Sequence, residues 1–109
     1  MRKGIAYYNE IIAGELVEDA SGNYTFSYDD IYYSNTNLPA ISVIIPKTKQ
    51  IHKSTFLFPF FYNMLSEGSN RKTQCRILKL DEDDDFGLLL KTGAHETVGA
   101  ITVEEKNEK

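Results

Sequence analysis

The spacing of apolar residues changes from a period of two to a helical period midway along the 109-residue chain, and no other feature restricts the fold as strongly. The run from Lys3 to Leu16 contains two strand-like segments around Asn9-Glu10. Asparagine tolerates the positive φ that a two-residue hairpin loop requires, so this run predicts a β-hairpin.

Two more strands are predicted in the first half of the chain. After a turn at Ser21-Gly22-Asn23, aromatic residues alternate with polar ones through Tyr24, Phe26 and Tyr28, which is typical of a half-buried strand. The apolar segment AISVIIP, residues 40–46, predicts a short central strand that its final proline ends. The polar segment KTKQIHKST that follows predicts a loop.

The second half predicts three short helices. The first has an apolar stripe at helical spacing, made by Phe58, Phe61, Tyr62 and Leu65. Pro59 suits its first turn, and Gly68 suits the left-handed position just past its C terminus. The second helix is expected to run from an N-cap at Ser69 or Asn70 through Leu78.

The third helix follows the acidic run DEDDD, whose carboxylates favour a helix N terminus. Its apolar stripe is Phe86, Leu89 and Leu90, and Gly93 is expected to end it. The segment VGAITVEE then predicts a last strand. Together these elements predict an α+β fold in which a small antiparallel sheet of N-terminal strands plus the C-terminal strand packs with three short helices. We expect one domain over residues 1–104 and a charged tail at 105–109.

Composition excludes several classes of protein. The formal net charge of −4 argues against a dedicated nucleic-acid binder, whose affinity depends on neutralising phosphates. The N terminus lacks the apolar core of a signal peptide and no run approaches the roughly 18 apolar residues of a membrane helix, so we expect a cytoplasmic protein without membrane contact. The single cysteine, Cys75, cannot form an internal disulfide, and we expect a buried thiol on the second helix.

Two acidic motifs lack the context that their chemistry requires. The tripeptide DFG that begins at Asp85 copies the magnesium-binding tripeptide of protein kinases, but the sequence has no Gly-rich loop, strand lysine or catalytic loop before it. Asp81, Asp83 and Asp85 alternate as in a calcium loop, yet Phe86 and Thr92 stand where glycine and glutamate are needed. We interpret both motifs as part of a solvated, helix-capping acidic segment.

The two histidines, His52 and His95, fall on different predicted loops. No further cysteine or histidine is spaced to complete a zinc site, and no nucleophile pattern accompanies either of them. The sequence therefore predicts no catalytic residue, no metal and no cofactor.

The second predicted helix is basic on its outer side. The residues responsible are Arg71, Lys72, Arg76 and Lys79. A solvated face is the default explanation of this pattern, since isolated surface charges contribute little, and the alternative is an electrostatic dock for an acidic partner surface. With an exposed turn predicted at 66–71, the pattern indicates a binding module rather than an enzyme.

The segments PFFYNMLSEGSNR and DDDFGLLLKTGAHETVGAITV resemble the N-terminal domain of HipA-type serine/threonine kinases, the toxins of bacterial HipBA toxin–antitoxin modules. That family shows a Pro-Phe-Phe helix, then Leu-Pro-Glu-Gly, an acidic-Phe-x-Leu-Leu helix and a Gly-Ala before the last strand. The corresponding residues here are Pro59-Phe60-Phe61, Leu65 to Gly68, Asp85 to Leu89 and Gly99-Ala100. The early hairpin and YTFSY also resemble the opening strands of the family, so the resemblance runs from about residue 4 to 104.

Two departures from the family pattern concern the turn after the first helix. Ser66 stands in place of the family's proline, and Ser69 stands where an aromatic residue, often tryptophan, follows the glycine. A serine cannot fill a partner's pocket as an indole would, because it offers little apolar area.

A complete HipA-type kinase continues for several hundred residues that carry the nucleotide site and the catalytic aspartate. The resemblance therefore implies a non-catalytic regulatory subunit, the antitoxin of a tripartite HipBST-type module, that binds a separate HipA-like kinase core. The resemblance also implies a helix-turn-helix DNA-binding protein as a further partner. The residues expected to bind the kinase core are Ser66, Glu67, Gly68, Ser69, Asn70, Arg71 and Arg76. The alternatives are an N-terminal fragment of a full-length HipA-type kinase and a self-associating scaffold domain.

Overall fold

Residues 2–65, 68–93 and 100–106 are described by a computed structural model, without the side chain of Ser69. The strands are β1 (Arg2–Tyr8), β2 (Ile11–Glu18), β3 (Tyr24–Tyr28), β4 (Ile51–Ser54) and β5 (Ile101–Glu105). The helices are α1 (Asp30–Ser34), α2 (Pro59–Tyr62), α3 (Gly68–Leu78) and α4 (Asp85–Thr92). The strands form one antiparallel sheet in the order β4-β3-β2-β1-β5, which confirms the predicted α+β class and the pairing of the C-terminal strand with the N-terminal ones.

The first hairpin forms where the sequence predicts it, because Asn9 and Glu10 both take a positive φ, 47° and 70°. The register of β1 against β2 then shifts by one residue, which leaves Ala13 as the extra residue of a bulge. Gly14 follows this bulge, and a Cβ there would lie 2.4 Å from the carbonyl oxygen of Ser27. Glycine is therefore required at this close approach of two strands.

The second turn and β3 are also confirmed. The amide of Asp19 donates to the carbonyl of Asn23 at 2.9 Å, and Gly22 supplies the positive φ of 83° that the turn requires. Phe26 and Tyr28 on β3 point into the core, while Thr25 and Ser27, which alternate with them, are only partly covered.

The prediction of a strand at residues 40–46 is wrong. The segment bends and forms an isolated bridge between Ser42 and Ile45. The buried hydroxyl of Tyr28 takes the place of a neighbouring strand, because it accepts a hydrogen bond from the Ile41 amide at 3.1 Å and donates one to the Ile45 carbonyl. The apolar run is thus a core-filling loop whose backbone groups are satisfied by a side chain.

The fourth strand lies in the segment that was predicted to be a loop. β4 forms one edge of the sheet, and His52 is its buried residue, between exposed Ile51 and Lys53. The Nε2 atom of His52 lies 2.9 Å from the carbonyl oxygen of Pro46 and 3.0 Å from that of Lys49. Because a histidine occupies the inward position, the strand carries no apolar alternation that a sequence pattern could detect.

The described helices and the strands share one core. The largest fully buried side chains are Tyr28, Tyr32, Phe26, Phe61, Phe86, Leu16, Ile45, Leu88, Leu89, Val103 and Cys75. α1 is an additional helix beyond the three predicted, and its N-cap is Asp29, whose carboxylate accepts from the amides of Ile31 and Tyr32. Tyr32, from this helix, stacks on Tyr28 with ring centroids 5.9 Å apart.

The stripe predicted for the first of the three helices is buried at Phe58, Phe61 and Leu65. The prediction is wrong for Tyr62, which is 41% exposed, because α2 ends there and the chain continues as turns. Gly68 does not follow this helix as its left-handed cap but is the first residue of α3.

The other two helices lie close to their predicted positions. α3 ends at Leu78 as expected but begins at Gly68, so Ser69 and Asn70 lie inside its first turn rather than at its N-cap. The predicted stripe of α4 is buried, and Gly93 caps its end in a right-handed conformation with φ −63°.

Candidate protein-binding surface

α3 turns one side to the core and the other to solvent. Its buried residue is Cys75, which confirms the expected buried thiol. At about 100° per residue, positions 70, 72, 73, 76 and 77 fall within less than half of the helix circumference, and all five are exposed. We call Lys72, Thr73, Arg76 and Ile77 the α3 outer face.

Arg71 lies outside that face and binds other residues of the protein. Its Nε and one terminal nitrogen donate to the carbonyl oxygen of Glu82 at 3.0 and 2.7 Å, and the same nitrogen forms an ion pair with the carboxylate of Asp85. Its side chain is 14% exposed. Burial acts to lower the pKa of Arg71, but the hydrogen bond and charge of Asp85 outweigh burial and raise that pKa. The guanidinium therefore ties α3 to the start of α4.

Unlike Arg71, the basic side chains of the α3 outer face are not engaged in contacts within the described part of the protein. The side chains of Lys72 and Arg76 form no hydrogen bond or ion pair with any residue that the structure describes. Ile77 is 73% exposed beside them. The face thus carries two available cations and one large apolar side chain, and no carboxylate belongs to α3.

An acidic loop at residues 81–83 follows α3 closely along the chain. The carboxylate of Asp81 accepts a hydrogen bond from the amide of Asp83 at 2.9 Å, and all three side chains are exposed. Because Arg71 binds the Glu82 carbonyl, the loop is held against α3. The described residues contain no group of three histidines, cysteines or carboxylates that could hold a metal ion.

The next carboxylate, Asp84, caps α4 as the acidic run predicts. It accepts from the amide of Gly87 at 3.0 Å and forms an ion pair with Arg2 at 2.8 Å. Arg2 also pairs with Glu18 at 2.7 Å and lies over the ring of Phe86. The hydrogen bond from Arg2 is the main cause that holds the pKa of Asp84 below its ordinary value of 3.8.

The predicted partner-binding residues divide into three groups. Ser66 and Glu67 lie outside the described residues. Gly68, Ser69 and Asn70 form the first turn of α3 instead of an exposed loop, and the side chain of Asn70 is exposed. Arg71 is engaged internally, whereas Arg76 points to solvent. Ile77 was missed, because an exposed isoleucine on a basic helix cannot be told from a buried one until the helix is placed.

The groups considered for catalysis are used structurally where the structure describes them. The His52 ring lies between two backbone carbonyls, the Cys75 thiol is buried, and Asp85 of the DFG tripeptide pairs with Arg71. His95 lies outside the described residues.

The sheet has a second surface, on the side away from the core. We call Ile5, Tyr7, Ile12, Val17 and Ile51 the open sheet face. Ile12 and Ile51 are 48% and 53% exposed. A depression of about 400 Å³ lies on this face, lined in part by Ile5, Ile12, Glu15 and Lys106.

No described helix has the length and apolar character needed to cross a lipid bilayer. By its fold, the described part of the chain is a small α+β domain built on one five-stranded antiparallel sheet. The family model of the HipA N-terminal domain matches residues 5–104. The chain therefore belongs to the HipA N-terminal domain family.

Two relatives differ in how much of their length this chain covers. The putative kinase Y4mE of Sinorhizobium fredii is 28% identical over 90 residues, which make up 83% of this chain and 21% of that protein. The chain thus spans about a fifth of that relative's length. An uncharacterised protein of Haemophilus influenzae is 32% identical over 101 residues, which make up 93% of this chain and 89% of that protein.

Among solved structures, the N-terminal domain of HipA toxin is similar with a TM-score of 0.73 and 23% sequence identity. The alignment covers 100% of this chain and 96% of that domain. At this level of identity the similarity establishes the fold, which agrees with the family match.

Proposed function

We propose that this protein is a non-catalytic regulatory subunit, the antitoxin of a bacterial toxin–antitoxin module, that binds a separate HipA-like serine/threonine kinase core. The observation that carries the proposal is the contrast in coverage: the family domain fills residues 5–104 here but corresponds to about a fifth of the putative kinase. In our proposal, the nucleotide site of such a kinase belongs to the four fifths that this domain does not match. A separate core of that kind is then the natural partner of this domain.

The size of the Haemophilus influenzae relative supports the same proposal. This chain aligns with 89% of it, so that protein is about as large as this domain alone. A domain that exists apart from a kinase core can act on one in trans, by covering its cleft or by binding an inactive arrangement more tightly than the active one.

The non-catalytic part of the proposal is supported by the structural use of the reactive groups. His52, Cys75 and Asp85 are each engaged in packing or internal hydrogen bonds, and they come from three different elements, β4, α3 and α4. Catalysis needs such groups within hydrogen-bond reach of one another and of a substrate. The proposal therefore includes no metal, cofactor or direct nucleic-acid contact. It places the protein in the cytoplasm, with a helix-turn-helix DNA-binding protein as a further partner.

The test is a titration of the HipA-like kinase core encoded beside this protein. Adding this protein should reduce autophosphorylation of the core in a saturable manner, and a tagged core should retain it on a column. Autophosphorylation that is unaffected, together with no retention, would reject the regulatory role. Increased autophosphorylation would keep the complex but replace inhibition with activation.

Two other functions have specific observations in their favour. The 21% coverage of the putative kinase also fits an N-terminal piece of a full-length HipA-type kinase, and a kinase core in the same reading frame downstream would decide for it. The open sheet face, with Ile12 and Ile51 exposed, fits a self-associating scaffold. A monomeric mass in solution at high concentration would exclude self-association.

A further inference from the structure

We infer that the α3 outer face is the kinase-docking surface and that it fits an acidic protein surface with an apolar recess for Ile77. This inference rests on the proposed function, because the kinase core is its partner. Of the contacts predicted from the sequence it keeps Arg76 and leaves out Arg71, and it adds Lys72 and Ile77.

Lys72 and Arg76 differ from Arg71 in whether the charged group is already bound within the protein. A charge that already has a partner must lose it before it can bind another group, and Arg71 has both the Glu82 carbonyl and the Asp85 carboxylate. Lys72 and Arg76 have no such partner among the described residues. They lie four residues apart, so they stand one turn above each other on the same side of α3.

Ile77 gives the face its apolar anchor. It is 73% exposed, and helical geometry places it beside Thr73 at the edge of the basic stripe. Interfaces between proteins combine a buried apolar side chain with a polar rim, and an isoleucine with two long basic side chains on one side of it has that composition.

The same observations favour a protein over a nucleic acid as the occupant. The acidic loop 81–83 is held against α3 by Arg71, so a phosphate backbone that followed the basic stripe would approach three exposed carboxylates. The whole chain also has a net charge of −4. A folded protein can place carboxylates opposite Lys72 and Arg76 while it avoids the loop, whereas a uniformly charged polymer cannot.

The experiment measures the dissociation constant between the full chain and the purified kinase core for matched variants. The double variant Lys72→Glu/Arg76→Glu should weaken binding by at least about tenfold and should reduce the dependence of affinity on salt. Ile77→Ala, which keeps a strong helix former in α3, should weaken binding by about fivefold or more with the salt dependence unchanged. The control Lys49→Glu/Lys53→Glu makes the same change in net charge at exposed lysines elsewhere and should bind like the wild type.

The outcomes separate this inference from the proposed function. If the kinase core binds the wild type but both α3 variants bind equally well, the α3 face is not the dock and the regulatory role stands. If the core does not bind the wild type, the regulatory role fails and this inference fails with it. Circular dichroism of each variant checks that α3 remains folded. Saturable binding of the wild type to a DNA duplex of about 20 base pairs, lost in the double charge variant, would overturn the choice of a protein partner.

Discussion

The hydroxyl group of Tyr28 illustrates how single residues organise this fold. It joins the loop of residues 41–45 to the sheet by accepting from the Ile41 amide and donating to the Ile45 carbonyl. Burial raises the pKa of Tyr28, so the hydroxyl keeps its proton and remains a donor throughout the neutral range. Without this side chain, two backbone groups in the core would lose their partner.

We therefore expect Tyr28→Phe to lower the free energy of unfolding by about 1 to 3 kcal/mol, the cost of leaving buried polar groups unsatisfied. Urea denaturation followed by circular dichroism measures this difference. Tyr33→Phe is the matched control, because the hydroxyl of Tyr33 has no hydrogen-bond partner among the described residues. Equal losses in the two variants would contradict the role given to Tyr28.

The single residue Asp84 makes a pH-dependent contribution to the free energy of unfolding. Its pKa is lowered in the folded protein, mainly by the hydrogen bond from Arg2, so its stabilising effect is complete above 3.8, the ordinary value, and is lost as pH falls through the folded-state value. Asp84→Asn keeps a side chain that can cap α4 but has no charge to lose. At pH 7 the free energy of unfolding of the wild type, measured by urea denaturation, should exceed that of this variant by about 1 kcal/mol or less, since the ion pair is partly exposed. The difference should shrink as pH falls below 3.8 and disappear once pH is below the lowered folded-state pKa. A difference that grows on acidification would contradict the assignment.

Among the elements, the β1–β2 hairpin shows what local sequence determines and what it does not. Two strand-like segments with an asparagine at position 9 between them were enough to predict the turn and both strands. The sequence does not predict β4, because the inward residue of that strand is His52. The strand prediction at 40–46 is wrong because an apolar run fits a buried loop as well as a buried strand. Tertiary contacts, absent from the local pattern, decide both cases.

At the bulge of the hairpin, we expect Gly14→Ala to destabilise the protein by about 1 to 3 kcal/mol through overpacking. The added carbon would lie 2.4 Å from the Ser27 carbonyl oxygen and 2.6 Å from the ring of Phe26. Thermal unfolding compares this variant with Gly22→Asn, a turn position with open space around it and a φ that asparagine tolerates. The control should lose less than about 1 kcal/mol, and a larger loss there than at position 14 would contradict the packing argument.

For the whole molecule, the sequence was sufficient to assign the α+β class and the family resemblance, but it did not sort the basic residues of α3. Arg71 and Arg76 look alike in the sequence, and the folding of α4 against α3 is what gives Arg71 a partner in Asp85. Ile77 becomes informative once the core side of α3 is known from Cys75. The surface proposed for the kinase therefore depends on long-range contacts, which single-sequence patterns do not contain.

The most direct test of the central claim is the light-scattering mass of this protein mixed with the HipA-like kinase core that we propose as its partner. We predict one species whose mass is the sum of the two chains or a multiple of that sum, with autophosphorylation of the core suppressed in the same fractions. Two species that keep their separate masses at micromolar concentrations, with the core fully active, would contradict the account.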